Sequence, residues 1–477
     1  MDNRAQLNRT LGPLHVWALA LGAIIGWGCF ILPGNFLSRS GPLGAVLGLV
    51  IGGVLMMFIA KAYGFLMHKH PVSGGAFAFA YAGFGRHHAY LCGWFLVLTY
   101  LSIVPLNATA LSIPINFFTG NLLQVGYLYE IAGWKVYLGE VGLATATLLI
   151  FGVMNIRGVG FAGGSQLWMV ILMVAAVAML AVASVLAPTT SIENLAPGFA
   201  PGKSMWTSIL LVLALTPWAY MGFDTVPQAA EEMGFPANKA KRLMFAAIII
   251  GGIMYCVVLL STALTSPWTE QVYPKVPDWA TGASIRGSMG DFGVAVLMVG
   301  IVMGIFTGIN GFLLATSRLL FSMGRARILP PWFAEIHPKY QTPRNALVFI
   351  LALSLLAPWF GRQALLWIVD MSALGMALGY GYTSFAAVRL SRGTEEAKHK
   401  WAFYVGGVFS ICILLLLTLP QSPASMERPS WIALGAWTLM GTLLYLRQAR
   451  EFQKVPKLEL DRRILDIGTS QRAPSSV

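Results

Sequence analysis

Twelve runs of about twenty apolar residues follow one another along the chain, near 14–38, 41–66, 89–118, 139–154, 165–187, 206–232, 242–266, 291–323, 344–360, 364–391, 401–420 and 431–449. One helix of that length crosses the hydrocarbon core of a bilayer. The pattern therefore predicts an all-α integral membrane protein with ~12 transmembrane helices, called segments 1 to 12 in chain order. They take up roughly half of the 477 residues and leave no room for a large soluble domain. Composition agrees, since 57% of residues are hydrophobic and 11% charged, too few charges to clothe a globule in water. The 51 Gly and 25 Pro are spread through the apolar runs, where a bundle in lipid tolerates them.

A net charge of +13 raises the question of nucleic-acid binding, but Lys and Arg gather at the ends of the apolar runs rather than in a stripe with aromatics. Nucleic acid is thereby excluded as a partner, and the charges set topology instead. An even number of segments puts both termini on one side. With that side cytoplasmic, the outward connections hold Arg39, Lys135, Lys203, Lys275, Arg286, Arg362 and Arg428, seven of the 32 Lys and Arg. The others, including Lys239, Lys241, Arg242, Arg318, Arg325, Arg327, Arg389 and Arg392, fall inside, as the positive-inside rule requires. The expected location is the cell membrane, or the inner membrane in a Gram-negative cell. Residues 1–13 carry Arg4 and Arg9 and lack the short apolar core and cleavage site of a signal peptide. Residues 68–88 predict a cytoplasmic linker or surface-lying helix, and 450–477 a flexible cytoplasmic tail.

Metal and redox chemistry find little support. Cys29, Cys92, Cys256 and Cys412 sit singly inside apolar runs and read as buried small residues. His68, Lys69 and His70 adjoin one another without a carboxylate, which fits a solvated loop better than a metal cluster. No cofactor and no metal site is expected.

Function is concentrated where two segments break. Segment 1 contains Gly22, Gly26 and Gly28 within seven residues at mid-depth, where glycine makes a helix break easy; Gly22 and Gly26 also have the spacing of a close helix-packing motif. Segment 6 places Pro217, Gly222 and Asp224 at comparable depth, and a carboxylate there is costly unless it faces a polar cavity or a partner. The breaks lie five segments apart. Two five-segment inverted repeats, each opening with a broken helix, would give that spacing and place a substrate site between them.

These residues also carry a resemblance. Gly22-Ala23-Ile24-Ile25-Gly26 followed by Gly28, the run Pro217 to Asp224 continuing to Ala230-Glu231-Glu232, and Pro71 to Phe77 resemble motifs of the amino acid/polyamine/organocation superfamily of transporters. The stretch Asn310 to Arg318, with Met323-Gly324-Arg325, Leu329-Pro330 and His337-Pro338 to Thr342-Pro343, is similar to the eighth segment and following loop of its amino acid permeases. The resemblance spans residues ~20 to ~345. It implies a five-plus-five inverted-repeat fold of the leucine-transporter type with discontinuous helices 1 and 6, repeats at 14–187 and 206–391, and two further helices at 401–449. It further implies that backbone amides around Ala23, Ile24, Gly26, Trp27 and Gly28 receive a substrate carboxylate. Carbonyls and aromatics around Trp218, Ala219, Tyr220, Gly222 and Phe223, with Phe312, would then meet the amine and side chain. Helix-end dipoles supply the physical reason for both contacts.

Two departures matter. Trp27 stands where relatives usually have Ser or Thr, so a hydroxyl contact to a carboxylate is replaced by an indole that either shapes the pocket or packs on a neighbour. Some relatives carry a coupling lysine in the fifth segment, seven residues after a Gln, but counting from Gln166 gives Met173, and 165–187 holds no Lys or Arg. Coupling by a proton, by sodium or by substrate exchange stays open. Asp224, Thr307, Asn310 and Asp370 are the coupling or gating candidates, Asp291 reads as interfacial, and Glu231 and Glu232 are expected to pair with Lys239, Lys241 or Arg242. The function expected is secondary transport of an amino acid or related amine, with a polyamine carrier, a channel or a membrane-embedded enzyme as alternatives. An ATP-driven pump is disfavoured because no phosphate-binding G-x-x-x-x-G-K-[ST] loop is present.

Overall fold

The computed structural model describes residues 7–131, 133–272, 279–422 and 424–467. Arg4, Lys275 and residues 468–477 of the tail lie outside them. Among the described residues, eight helices are long and apolar enough to cross a bilayer: Pro13–Ile31, Pro33–Lys69, Arg86–Thr119, Leu138–Arg157, Ala162–Leu186, Ala237–Leu264, Ala280–Arg325 and Glu395–Thr418. Arg344–Phe360 is apolar but shorter. The remaining expected segments are helical as well: segment 6 in the pieces Met205–Leu213, Thr216–Ala219 and Thr225–Gln228, segment 10 as Gly361–Leu390 and segment 12 as Arg428–Lys454.

Glycines with positive φ punctuate this bundle. Leu32 is helical, so Gly28–Ile31 runs on into the first turns of Pro33–Lys69, and Gly41 (φ 69°) then turns the chain from segment 1 into segment 2. Gly290 (φ 64°) likewise separates the start of Ala280–Arg325 from segment 8.

Apolar side chains fill the core of the bundle and also cover its outside. Large apolar side chains point outward, among them Trp168, Val182, Val185, Leu186, Ile432, Leu439 and Leu446, as lipid contact requires. Asn107, Asn155, Gln166, Asp224, Thr307, Asn310 and Arg318 are buried instead. Pro13–Ile31 is the most enclosed helix together with Arg86–Thr119, with 83% of each apolar window buried. It packs against segments 5, 7 and 8, so the glycine cluster of segment 1 lies at the centre of the bundle.

Several sequence expectations are corrected. Tyr127–Ile131 and Trp134–Tyr137 form an antiparallel hairpin between segments 3 and 4 that apolar periodicity did not reveal. Within 68–88, the helix Ala76–Phe84 is largely buried against segments 3 and 10 rather than lying on the surface. His70 is buried too, and burial, reinforced by Lys69, pushes its imidazole down to about 4, so it is neutral near pH 7. The described part of the tail contains Lys457–Leu465, an amphipathic helix that buries Leu460, Ile464 and Leu465. It is tied to Ala76–Phe84 by the Tyr81 hydroxyl donating to Asp461 at 2.8 Å. Cys29 and Cys92 are buried, Cys256 partly so, whereas Cys412 is exposed on segment 11.

Candidate substrate site where two broken helices cross

Helix Pro13–Ile25 stops because Gly26 adopts φ 45°, ψ −148°, a conformation closed to residues with a Cβ. Three carbonyls of this helix are met by side chains of neighbouring segments, although Gly22 O still accepts from the Gly26 amide at 3.2 Å. The Thr307 hydroxyl donates to Gly22 O at 3.1 Å, the Gln166 amide to Ala18 O at 3.3 Å, and the Tyr255 hydroxyl stands 3.4 Å from Ile24 O. Gly22 serves close packing, since a Cβ there would lie 2.6 Å from both Gln166 and Thr307. The helix-packing and helix-breaking readings of the cluster thus divide between Gly22 and Gly26.

Segment 6 breaks for a complementary reason. Pro217 occupies the first turn of Thr216–Ala219, where its missing N–H costs little, and Gly222 takes φ 139° before the chain re-enters a helix at Thr225. The breaks touch directly. A Cβ on Gly222 would stand 2.4 Å from Ile24 N and 2.6 Å from Ala23 C, so backbone meets backbone with no room for a side chain.

Around this crossing the ring of Trp27 meets that of Trp218 edge to face, 5.5 Å between centroids. Trp218 also covers Gly28, whose Cβ would lie 2.8 Å from the indole, and its Nε1 has no hydrogen-bond partner among the described residues. Ala219 is buried behind it. Tyr220 turns away between segments 2 and 7 and donates its hydroxyl to Leu49 O at 2.9 Å. Phe223 stacks on Tyr380 and meets Tyr63 edge to face, while Phe312 tilts against Tyr100.

Asp224 is fully buried. Oδ1 accepts from the Gly222 amide at 2.9 Å, and Oδ2 accepts from the Tyr100 hydroxyl. No Lys or Arg pairs with it among the described residues. Thr307 and Asn310 belong to a different network: the Asn310 amide donates to Gln166 Oε1 at 2.8 Å and Ala162 O at 3.0 Å, and its Oδ1 accepts from Asn155 at 2.7 Å. This network clamps segments 1, 4, 5 and 8 together. Asp370 lies away from the crossing and accepts from Ser430 on segment 12 at 3.1 Å. Asp291 pairs with Arg286 at 3.2 Å in an exposed position.

The partners of Glu231 and Glu232 correct the sequence reading. Glu232 accepts from Arg318 Nε at 3.1 Å and Nη2 at 2.7 Å, with both side chains at most 1% exposed. Glu231 accepts from Arg325 at 2.8 and 3.0 Å and from the Ser73 amide at 3.1 Å. Both guanidiniums come from segment 8, far away in sequence, whereas Lys239, Lys241 and Arg242 were merely the nearest cations along the chain. These pairs fasten the end of segment 6 to the 70–75 loop and segment 8.

Sequence reasoning missed three side chains on segment 3 and its neighbours. Tyr100 holds Asp224, and Tyr63 flanks Phe223. The Asn107 Oδ1, 3.4 Å from where a Gly26 Cβ would be, has no hydrogen-bond partner among the described residues. An asparagine in the middle of an apolar run was the available signal.

The amino acid permease family profile matches residues 11–444, nearly the whole chain. The chain belongs to the amino acid permease family. It shares the leucine-transporter-type membrane fold of the amino acid/polyamine/organocation superfamily. Among its relatives are a branched-chain amino acid permease of Bacillus subtilis (strain 168), 25% identical over 94% of this chain and 95% of its own length, and a histidine permease of Lactococcus lactis subsp. cremoris (strain MG1363), 25% identical over 90% and 92%. A methylthioribose transporter of Bacillus subtilis (strain 168) is 24% identical over 94% and 95%. The broken helices of this family member lie inside the matched region.

Proposed function

We propose that the chain is a secondary transporter of an amino acid or a related amine in the cell membrane, working by alternating access. In this reading twelve segments would leave both termini in the cytoplasm, with 14–187 and 206–391 as inverted repeats and 401–449 outside them. The observation that carries this reading is the contact of Gly222 with Ala23 and Ile24, which brings two interrupted helices together at the centre of the bundle. Unwound backbone at membrane depth offers amides to a carboxylate and carbonyls to an amine without a charged side chain for either. Backbone past the break, at Trp27 and Gly28, would take the carboxylate, because Ala23 and Ile24 lie inside the helix and the Gly26 amide already donates to Gly22 O at 3.2 Å. The carbonyls of Ala219 and Tyr220 would take the amine, since Gly222 O is occupied by the Thr225 amide and hydroxyl at 3.1 and 2.6 Å; Trp27 and Trp218 would close over the side chain, and Phe223 and Phe312 would back the pocket. Amides, carbonyls, rings and a single carboxylate favour a carrier over an enzyme.

Asp224 is the proton-coupling group in this scheme. The support is a carboxylate at mid-membrane with two hydrogen-bond donors and no cation beside it among the described residues, a setting suited to binding a proton or receiving a cation during turnover. Sodium finds less support, because the polar groups of Thr307 and Asn310 are engaged in bracing segments 1, 4, 5 and 8. The pairs Arg318–Glu232 and Arg325–Glu231 would hold the cytoplasmic side closed and part when the site opens inward.

The test is thermal unfolding of the purified protein against the amino acids and common polyamines, with methylthioribose as a control, because a ligand bound only by the folded state raises stability by mass action. Stabilisation by one amino acid class supports the proposal. Stabilisation by polyamines or methylthioribose alone overturns the substrate assignment.

A further inference from the structure

A groove of about 620 Å³ runs between segments 10 and 11 on the outer face of the bundle, away from the crossing of the broken helices. Its walls are apolar along most of their length, from Leu378 and Phe385 on segment 10 to Ile411 and Leu414 on segment 11. Ile411 is 43% and Tyr404 47% exposed, so the groove opens sideways toward the surroundings of the bundle, not into it. In a membrane those surroundings are acyl chains.

One end differs in chemistry. Arg389 in the last turn of segment 10 and Arg392 just beyond it both line the groove and are exposed, and neither pairs with a carboxylate among the described residues. The Arg389 guanidinium lies 6.0 Å from the centre of the Phe84 ring, which holds it at the rim. Lys69 adds a third positive charge nearby by donating to Leu390 O at 3.1 Å. In the following connection, Glu396 interacts electrostatically with Lys61. Tyr382, hydrogen-bonded to His88 at 3.0 Å, and Tyr404 flank the arginines, as aromatic side chains with one polar end do at a membrane interface.

We propose that this groove binds an anionic glycerophospholipid of the phosphatidylglycerol type. The phosphate sits between Arg389 and Arg392, and an acyl chain lies along Phe385, Ile411 and Leu414. Two unpaired guanidiniums above an apolar trough match a ligand with an anionic head and a hydrocarbon tail. A zwitterionic lipid would bring its own ammonium against them, and a soluble phosphate would leave the trough unused. This assignment rests on the membrane fold alone and is independent of the transported substrate.

Native mass spectrometry of the detergent-purified protein tests it, with dioleoylphosphatidylglycerol, dioleoylphosphatidylcholine or glycerol 3-phosphate added to the parent and to three variants. Arg389→Gln/Arg392→Gln removes the charges, Ile411→Trp fills the trough and leaves them, and Arg447→Gln removes an exposed cation outside the groove. The parent and Arg447→Gln should retain phosphatidylglycerol. The double variant should bind it at least about tenfold more weakly, and Ile411→Trp should also lose affinity. Phosphatidylcholine and glycerol 3-phosphate should not be retained. Equal retention of phosphatidylglycerol by parent and double variant, equal retention of the two lipids by the parent, or a second protein chain held at this face in place of lipid overturns the proposal.

Discussion

Gly222→Ala adds one methyl group at the point where the broken helices meet, and two costs can be worked out. The first is conformational: at φ 139° an L-residue is strained by about 1–3 kcal/mol. The second is steric. The new carbon would stand 2.4 Å from Ile24 N and 2.6 Å from Ala23 C, against about 3.5 Å for ordinary contact, so one break must retreat by roughly 1 Å. Both atoms are backbone, so no flexible side chain can swing aside, and overpacking of this kind costs about 1–3 kcal/mol. Together the expected cost is about 2–6 kcal/mol, spent where substrate would be held. That cost falls on the folded protein with or without substrate, so it reads as lost thermal stability, whereas the retreat by roughly 1 Å pulls backbone away from the substrate and should weaken binding by about tenfold. The assay is equilibrium binding of the stabilising amino acid to purified parent and variant, with Gly142→Ala as control because a Cβ at Gly142 meets nothing within 4 Å. Gly222→Ala binding with parental affinity in a folded protein would refute the reasoning.

Trp218→Ala should weaken substrate binding more than about tenfold, whereas Tyr220→Phe should cost about 1 kcal/mol of thermal stability through its lost bond to Leu49 O and leave affinity near parental. A fall in affinity for Tyr220→Phe matching that of Trp218→Ala would place Tyr220 against substrate instead. Arg318→Met strands a buried Glu232 carboxylate and should destabilise by about 3–5 kcal/mol, with most of that recovered in Arg318→Met/Glu232→Gln; additive losses in thermal unfolding would mean the pair is not coupled. Asp224→Asn keeps an oxygen for the Gly222 amide and removes the charge, so vesicles should still exchange substrate but no longer accumulate it against a gradient; parental accumulation at every pH would remove Asp224 from coupling.

Much of the fold was legible because its determinants are local. Runs of apolar residues marked the segments, and Gly26, Pro217 and Gly222 marked the breaks, since glycine and proline act on their own backbone whatever surrounds them. What escaped depends on pairings distant in sequence. Glu232 finds Arg318 rather than Lys239 because segment 6 ends beside segment 8, and no periodicity encodes that adjacency. Tyr100 and Asn107 reach the crossing only because segment 3 lies against it, so composition alone left them indistinguishable from interfacial or packing residues. The order in Lys457–Leu465 arises from Leu460 and Ile464, two apolar residues on one face of a charged stretch too short to read as a helix without Ala76–Phe84 beneath it.

The central claim is that this chain carries an amino acid through the crossing of its two broken helices. Counterflow in proteoliposomes tests it most directly, using the amino acid that stabilises the purified protein and comparing the parent with Gly28→Leu, whose side chain would enter space now covered by Trp218. The account predicts saturable counterflow by the parent and none by a folded, membrane-inserted Gly28→Leu. Equal counterflow by the two proteins, or no counterflow by the parent with any amino acid, would contradict it.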